Sequence, residues 1–203
     1  MKKVLPLKPP EGVSSVVEEH WIEVNFVLPQ PIMIVTTVDR KGNVNAALKS
    51  WVMYCSTDHV MFGCSTKHDT AKNLLETGEF VVNLPSSQLL EQTKMTAIDY
   101  PRGVDEAEKA GLTEIPSIKV KPPRIKECKA HLECKLIWHK KLGNTGIIFV
   151  GKAVALSVDE DVLSREKYAK TEAVKEMLLI PEGIGMIRKI EPLGPVPKIR
   201  MEG

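Results

Sequence analysis

The sequence predicts a mainly β protein with inserted helices, built as one closed or split barrel. Several short segments rich in β-branched residues follow one another with turn signals between them, and helical segments do not alternate with them regularly. No GxGxxG motif is present, so a doubly wound dinucleotide-binding fold is disfavoured. The length of 203 residues, with 43% hydrophobic and 27% charged residues, fits a soluble domain with one ordinary core.

Three regions are expected along the chain: an N-terminal segment at 1–28, the barrel domain at 29–160, and a C-terminal helix and tail at 161–203. Prolines keep the first segment extended at its start, and a short helix or strand is expected at 15–27 around Trp21. Apolar positions at helical spacing predict a helix over 164–179. The Pro- and Gly-rich tail at 180–203 is expected to wrap a neighbour or to fray.

The first strands follow from β-branched segments and turns. Residues 31–39 predict a mostly buried strand, and the turn at 39–42, with Gly42 at its end, returns the chain as a hairpin partner over 43–48. Further strands are predicted at 51–55 and 59–64. The barrel therefore begins with a run of antiparallel strands.

The next part of the barrel contains the inserted helices. A helix is predicted to begin at Asp69 or Thr70 as its capping residue and to end at Gly78. A strand at 80–84 follows, and Ser86 or Ser87 is placed to cap a second helix that runs to Met95. Residues 99–124, rich in proline and glycine, predict a loop with one short helix near 104–110.

Two long strands at about 125–139 and 147–158, joined by a turn at 141–146, are expected to close the barrel. In the first strand, apolar residues alternate with polar ones, which predicts one buried and one solvated face. The expected buried positions are Cys128, Ala130, Leu132 and Cys134, and the expected solvated positions are Lys129, His131, Glu133 and Lys135.

Charge and apolar runs restrict the function classes. The net charge of +2 does not favour nucleic acid as a partner. The basic stretch 119–141 is most simply a solvated face of strands, or a basic rim around an anionic ligand, and its only aromatic residue is Trp138. No run of about 18 apolar residues predicts a membrane span, and the N-terminus lacks the apolar core of a signal peptide. We expect a cytoplasmic protein without a membrane partner.

The residues of common catalytic and metal sites do not form their usual motifs. Cys55, Cys64, Cys128 and Cys134 form no CxxC pair, and the five histidines form no HExxH, so no metal site is predicted. We expect buried free thiols that act in packing. A GxSxG elbow and a P-loop are also missing, which leaves protease and kinase functions without a motif.

The segment after the first hairpin turn is the first candidate site. The small residues Ala46 and Ala47 would let a flat ring lie against the backbone, and Asn45 and Ser50 could pair with ring heteroatoms. Trp51 offers an aromatic face. The alternative is an ordinary hairpin beside a core tryptophan.

The second candidate site is the loop at 64–70, where a strand ends and a helix begins. The hydroxyls of Ser65 and Thr66, the cation of Lys67 and the free N–H groups at the helix start would together bind an anion. The alternative is ordinary capping of the helix by Asp69 or Thr70.

Together these segments resemble the flavin reductase-like, FMN-binding split-barrel family. The resemblance covers about residues 29–158 and consists of an ordered set of short motifs. They are PQPIMIVTTVDRKGNVNAA at 29–47, SW at 50–51, STKHDTAKNL at 65–74, GEFVVNL at 78–84, HLEC at 131–134 and IIFVGKAV at 147–154.

The resemblance implies a Greek-key split β-barrel that forms a homodimer and binds FMN at the dimer interface. The flavin carries the chemistry, so no catalytic side chain is implied. The implied residues near the flavin ring are Thr36, Thr37, Asn45, Ala46, Ala47, Ser50 and Trp51. Those near the phosphate are Ser65, Thr66, Lys67 and Thr70, and two cations further along the chain, Lys94 and Arg102, would also reach the flavin.

One turn departs from the family pattern. NAD(P)H-using members usually carry a Gly-Asp-His turn before the last barrel strand, whereas this chain has Gly143, Asn144 and Thr145 there. The expected function is an FMN-dependent oxidoreductase, namely an NAD(P)H:flavin or ferric reductase or a flavoredoxin-type reductase. The alternative is a non-catalytic FMN electron carrier with a protein redox partner, which the missing histidine favours over direct use of NAD(P)H.

Overall fold

The computed structural model describes residues 4–12, 22 and 30–163, together with the backbone of 179–181 and 187–189. The segment around Trp21 and most of the C-terminal helix expected at 164–179 lie outside the described residues. The last residue of that expected helix, Leu179, instead begins a short strand, β10 (Leu179–Pro181), which pairs with β11 (Ile187–Lys189).

One antiparallel sheet of seven strands forms the body of the protein. Its strands are β1 (Met33–Val38), β2 (Val44–Lys49), β3 (Val52–Tyr54), β4 (His59–Ser65), β5 (Glu79–Leu84), β8 (Ala130–Leu142) and β9 (Gly146–Val158). Their order in the sheet is β2-β1-β5-β8-β9-β4-β3. The sheet curls into a half-barrel, so the mainly β, split-barrel prediction is confirmed.

Three α-helices interrupt the described strands, near the predicted places. Helix α1 (Asp69–Thr77) ends at Gly78, whose φ of 70° is the left-handed conformation predicted for it. Helix α2 (Leu90–Met95) follows a 3₁₀ turn, and Ser86 before that turn makes no side-chain capping bond, so the predicted serine cap is wrong. Helix α3 (Glu106–Lys109) is capped by the side chain of Asp105.

The first long strand begins later than predicted, at Ala130 rather than near 125. Arg124 and Ile125 form a separate short strand, β7 (Arg124–Ile125), which pairs with β6 (Glu114–Ile115). The reason is that the N–H of Ile125 donates to the side chain of Asn83, while the N–H of Cys128 donates to the carbonyl of Ile125 and turns the chain.

The prediction of one solvated face on β8 is wrong at His131 and Glu133, which are 5% and 1% exposed. The loop before β7 covers this face. Glu133 accepts hydrogen bonds from the backbone N–H groups of Ile118 and Lys119, at 2.8 and 2.6 Å, and His131 contacts the carbonyl oxygen of Ile125 at 2.7 Å.

Apolar side chains fill both sides of the sheet. Inside the half-barrel, Phe62 packs edge-on against Phe80 and at a tilt against Phe149, with ring centroids 5.3 and 5.5 Å apart. A second cluster, which includes Ile34 and Ala46, packs against α3 and β7. Three of the cysteines are buried and free as predicted, whereas Cys55 is exposed, because it follows the edge strand β3.

Candidate functional site

Asn45 joins β2 to helix α1 through a buried hydrogen-bond network. Its Oδ1 accepts from the hydroxyls of Thr37 at 3.3 Å and Thr70 at 2.9 Å, and its Nδ2 donates to Oε1 of Glu106 at 2.7 Å. Asn73 of α1 donates to the Thr37 hydroxyl at 3.2 Å. The network fixes the start of α1 against β2 and so holds the two candidate segments together.

Several predicted site residues lie within this network or beside it, behind the surface. Thr36, Thr37, Ala46 and Thr70 are fully buried, and Asn45 is nearly so. Thr36 donates its hydroxyl proton to the carbonyl of Pro123 at 2.6 Å. The side chains of these residues are therefore engaged within the protein, and direct contact with a flavin stays a prediction for them.

Glu106 is a member of the network that the sequence reasoning missed. Its Oε2 accepts from the backbone N–H of Ala46 at 2.8 Å, and only 7% of its surface is exposed. Burial raises the pKa of this carboxyl, and its hydrogen bonds with Ala46 and Asn45 act in the opposite direction. No local motif marks it, since its partners lie about sixty positions earlier in the chain.

The surface of the first candidate segment is formed by Ala47, Ser50 and Trp51. Ala47 and Ser50 are partly exposed and Trp51 is half-exposed. The indole lies on the backbone of β4, because a Cβ placed on Gly63 would stand 2.9 Å from its Cε3 atom. The N–H of Gly63 also donates to the carbonyl of Trp51 at 3.0 Å. This tryptophan therefore covers Gly63, which lies two residues before Ser65, the end of β4.

The second candidate segment leads directly into α1. The N–H of Thr66 donates to the carbonyl of Thr145 at 2.7 Å, which holds the loop against the β8–β9 turn. Ser65 accepts from the N–H of Lys67 through its hydroxyl and from the N–H of His68 through its carbonyl. The hydroxyl groups and the cation predicted for an anion site are thus brought to one loop.

Helix α1 begins at Asp69 without a side-chain cap, so the predicted capping by Asp69 or Thr70 is wrong. The Asp69 carboxylate instead pairs with Lys72 at 2.8 Å, and the Thr70 hydroxyl points to Asn45. Within 30–163, no hydrogen-bond acceptor meets the backbone N–H groups of Asp69 and Thr70. These N–H groups give the helix start the properties of an anion site.

The two predicted cations that follow α1 in the chain, Lys94 and Arg102, lie in different places. Arg102 reaches the start of α1, where its guanidinium lies 3.4 Å from Asp69 and also 3.4 Å from Glu76. Lys94 is exposed and pairs with Glu91 at 2.8 Å. Only Arg102 therefore has a contact with the candidate phosphate segment.

Lys49 is a second residue that sequence reasoning missed. It is the last residue of β2, and only 7% of its surface is exposed. Burial lowers the pKa of its ammonium, whereas the nearby Cys64 and Glu106 raise it. The available signal was strand alternation, which places Lys49 on the same side of β2 as Asn45 and Ala47.

An apolar row crosses four strands on the outer face of the half-barrel. Trp138 pairs with Val150, Val150 pairs with Met61, and Met61 pairs with Met53, so the four side chains share a face. Trp138 and Met53 are about half exposed. This outer apolar row lies beside Trp51, which covers Gly63 on the neighbouring position of β4.

The basic stretch 119–141 is divided among several acidic partners. Arg124 lies beside Glu133, Lys129 pairs with Asp159 and Asp161, and Lys135 lies 3.7 Å from Glu79.

A cavity of about 650 Å³ lies elsewhere, between the β1–β2 turn and Glu114. It contains none of the predicted site residues.

Neither a membrane-spanning helix nor a cluster of metal-binding side chains occurs among the described residues. No helix among them is long and apolar enough to cross a membrane. Across the same residues, no three His, Cys, Asp or Glu side chains come together in a group that could hold a metal ion.

Comparison with known sequences relates most of the chain to one family. The model of the flavin reductase like domain matches residues 26–175. An uncharacterised protein of Aquifex aeolicus is 37% identical over 151 residues, which cover 71% of this chain and 76% of that protein.

Several solved structures have the same fold as this chain. A 2-nitrobenzoate 2-nitroreductase of Pseudomonas fluorescens is 25% identical, with a TM-score of 0.81 over 97% of this chain and 98% of that one. A split-barrel domain protein of Shewanella frigidimarina is 21% identical, with a TM-score of 0.81 over 92% of this chain and 94% of that one. The flavoredoxin of Desulfovibrio vulgaris is 20% identical, with a TM-score of 0.76 over 96% of this chain and 99% of that one. With the family model matching most of its length, this chain belongs to the flavin reductase-like family.

Proposed function

We propose that this chain binds FMN and is an FMN-dependent oxidoreductase. The observation that carries the proposal is the uncapped start of α1, where the N–H groups of Asp69 and Thr70 lie beside the hydroxyl-bearing loop that follows β4. Such a helix start binds phosphate groups. Membership of the flavin reductase-like family supports a flavin as the ligand whose phosphate binds there.

The residues at both ends of the site fit FMN. At the phosphate end, the buried ammonium of Lys49 adds positive charge to the helix start. At the ring end, the indole of Trp51 packs closely on the backbone of Gly63, which has no Cβ to displace it, and offers an aromatic surface. Ser65, Thr66 and Lys67 would hold the phosphate, with Arg102 beside them, and Ala47, Ser50 and Trp51 would border the ring.

A bound flavin supplies hydride and single-electron transfer at its own ring, so the chain's residues bind and orient it. In this proposal the buried network around Asn45 acts as a support. It holds β2 and α1 in fixed relation, and thereby fixes the distance between the ring end and the phosphate end of the site. Lys94, which pairs with Glu91, is the weakest member of the proposed set.

We also propose that the protein is a homodimer that uses the outer apolar row. Exposed apolar surface in one continuous patch is typical of protein interfaces. The row ends beside Trp51, so a partner seated there would lie next to the ring end of the site.

The electron donor distinguishes two versions of the function. In the turn before β9, Thr145 stands where the NAD(P)H-using members of the family usually carry a histidine. The carbonyl of Thr145 accepts a hydrogen bond from the N–H of Thr66. This observation favours the second candidate, an FMN electron carrier that exchanges electrons with a protein partner. The nitroreductase neighbour favours the first candidate, an oxidoreductase with a small-molecule substrate.

An anaerobic reduction experiment separates the two. The FMN-loaded protein is mixed with NADH or NADPH, and the flavin absorbance near 450 nm is followed. Rapid bleaching supports the reductase. Bleaching by dithionite alone supports the carrier, and a protein that binds no FMN contradicts both versions.

A further inference from the structure

Lys49 is a mostly buried cation at the end of β2. It is 7% exposed, and in the part of the chain that the structure describes its ammonium makes no hydrogen bond and no ion pair. The nearby carboxylate of Glu106 is already engaged by the side chain of Asn45 and the backbone of Ala46. Glu106 therefore compensates the charge of Lys49 only from a distance, and no described residue accepts a hydrogen bond from the ammonium.

An ammonium in a mostly buried side chain without a hydrogen-bond acceptor is unfavourable, because the protein replaces much of the water that would solvate it. A methionine of similar length would fill the same space without this cost. A lysine at such a position is consistent with an anion that arrives from outside and accepts hydrogen bonds from the ammonium.

The position of Lys49 indicates where that anion binds. Its charge acts on both the Cys64 thiol and the His68 imidazole, which flank the loop 65–67. The same loop leads into the uncapped start of the nine-residue helix α1. Two independent features thus meet at one place: a mostly buried ammonium and helix N–H groups, neither of which has a hydrogen-bond acceptor among the described residues.

The other cations near the loop are less suited to this role. Arg102 is shared between Asp69 and Glu76. Lys67 is exposed, so solvent and salt screen its charge. Lys49 is the cation whose interaction with a bound anion is least screened.

We propose that Lys49 is the buried cation of a phosphate site at the start of α1, and that it makes the flavin site select a phosphorylated flavin over riboflavin. The inference rests on the proposed function, since FMN is the ligand whose phosphate would occupy this site. A terminal phosphate monoester carries close to two negative charges at neutral pH, which one ammonium and a helix N-terminus together compensate.

The test compares Lys49→Met with Lys41→Met, an exposed lysine of the turn before β2, at the opposite end of that strand. Apoprotein of each variant is titrated with FMN and with riboflavin, and binding is followed by the quenching of flavin fluorescence. Lys49→Met is expected to weaken FMN binding about 10- to 100-fold and to leave riboflavin binding within about threefold. Lys41→Met is expected to change both affinities by less than about threefold.

Two results would overturn the inference: FMN binding by Lys49→Met at the wild-type affinity, or equal losses for FMN and riboflavin. A thermal melt first establishes that Lys49→Met is folded, and Lys49→Gln replaces it if it is not. The flavin-independent probe is inorganic phosphate, which should raise the Tm of the wild type and of Lys41→Met at constant ionic strength but not that of Lys49→Met. A wild type that binds phosphate but no flavin would contradict the proposed function alone, and phosphate effects equal in all three proteins would contradict the role of Lys49.

Discussion

The carboxylate of Glu106 accepts hydrogen bonds from two consecutive residues of β2, Nδ2 of Asn45 at 2.7 Å and the backbone N–H of Ala46 at 2.8 Å. Strand β2 lies at the edge of the sheet, where backbone N–H groups have no neighbouring strand. Glu106 therefore replaces a strand partner at this edge and also fixes the amide orientation of Asn45.

Replacing Glu106 by alanine should destabilise the protein, because two buried donors lose their acceptor. We expect the free energy of unfolding to fall by about 2–4 kcal/mol, measured by urea denaturation. Glu108→Ala, on the exposed side of the same helix, is the matched control and should change it by less than about 0.5 kcal/mol. Equal losses in the two variants would show that the Glu106 hydrogen bonds contribute little.

Two glycines of the sheet should respond differently to an added methyl group. A Cβ on Gly151 would stand within 2.4 Å of the ring of Phe80, which is fully buried, whereas one on Gly63 would meet the half-exposed Trp51. Gly151→Ala should therefore cost about 1–3 kcal/mol or more in the free energy of unfolding.

Gly63→Ala should cost less, because the Trp51 indole has room to move into solvent, and the displaced indole should change the tryptophan fluorescence. Chemical denaturation followed by fluorescence measures both effects. A larger loss of stability in Gly63→Ala than in Gly151→Ala would contradict the packing described here.

The outer apolar row predicts a dimer that a single charge would disrupt. Met53→Glu should give a monomer in size-exclusion chromatography with light scattering, since a carboxylate would be buried against apolar side chains. Leu156→Glu is the control, because Leu156 is exposed at the other end of β9. If both variants remain dimeric, the interface lies elsewhere, and a monomeric wild type would exclude the dimer itself.

Glu114 predicts a pH-dependent difference in stability. Burial, together with the negative charges of Asp105 and Glu108, raises its pKa to about 7, and within the described residues its Oε1 atom has no hydrogen-bond partner. The unfolded chain releases this proton near pH 4.5, so the contribution of the protonated group is complete below that pH and is lost as the pH rises to about 7.

The measurement is the difference in the free energy of unfolding between the wild type and Glu114→Gln at several pH values. The wild type should lose stability relative to the variant between pH 4.5 and 7, and the difference should then stay constant. A difference that is constant from pH 4.5 to 8 would mean that the carboxyl titrates normally.

The sequence predicts the strands well where a local pattern decides. The β-branched segment of β1 and the helix end at Gly78 are both found where they are predicted. Partners distant in the sequence decide the rest. Backbone groups of the loop at 118–119 bury Glu133, and Glu106 accepts a hydrogen bond from Asn45, about sixty residues earlier in the chain. The burial of these two carboxylates therefore does not follow from local periodicity.

The candidate site was predicted as two segments, and the structure adds which atoms are available. Thr70 was expected either to cap α1 or to bind phosphate, but its hydroxyl is used by Asn45. Lys49 was missed because a lysine that ends a strand usually lies in solvent, and strand alternation alone does not predict the burial found here.

The most direct test of the central claim is the absorption spectrum of the purified protein, with any released cofactor identified by chromatography. An FMN-binding member of the flavin reductase-like family should be yellow, or become so after incubation with FMN and removal of excess, with absorption near 375 and 450 nm and FMN as the released compound. A protein that stays colourless after incubation with FMN, or that releases only FAD, would contradict the claim.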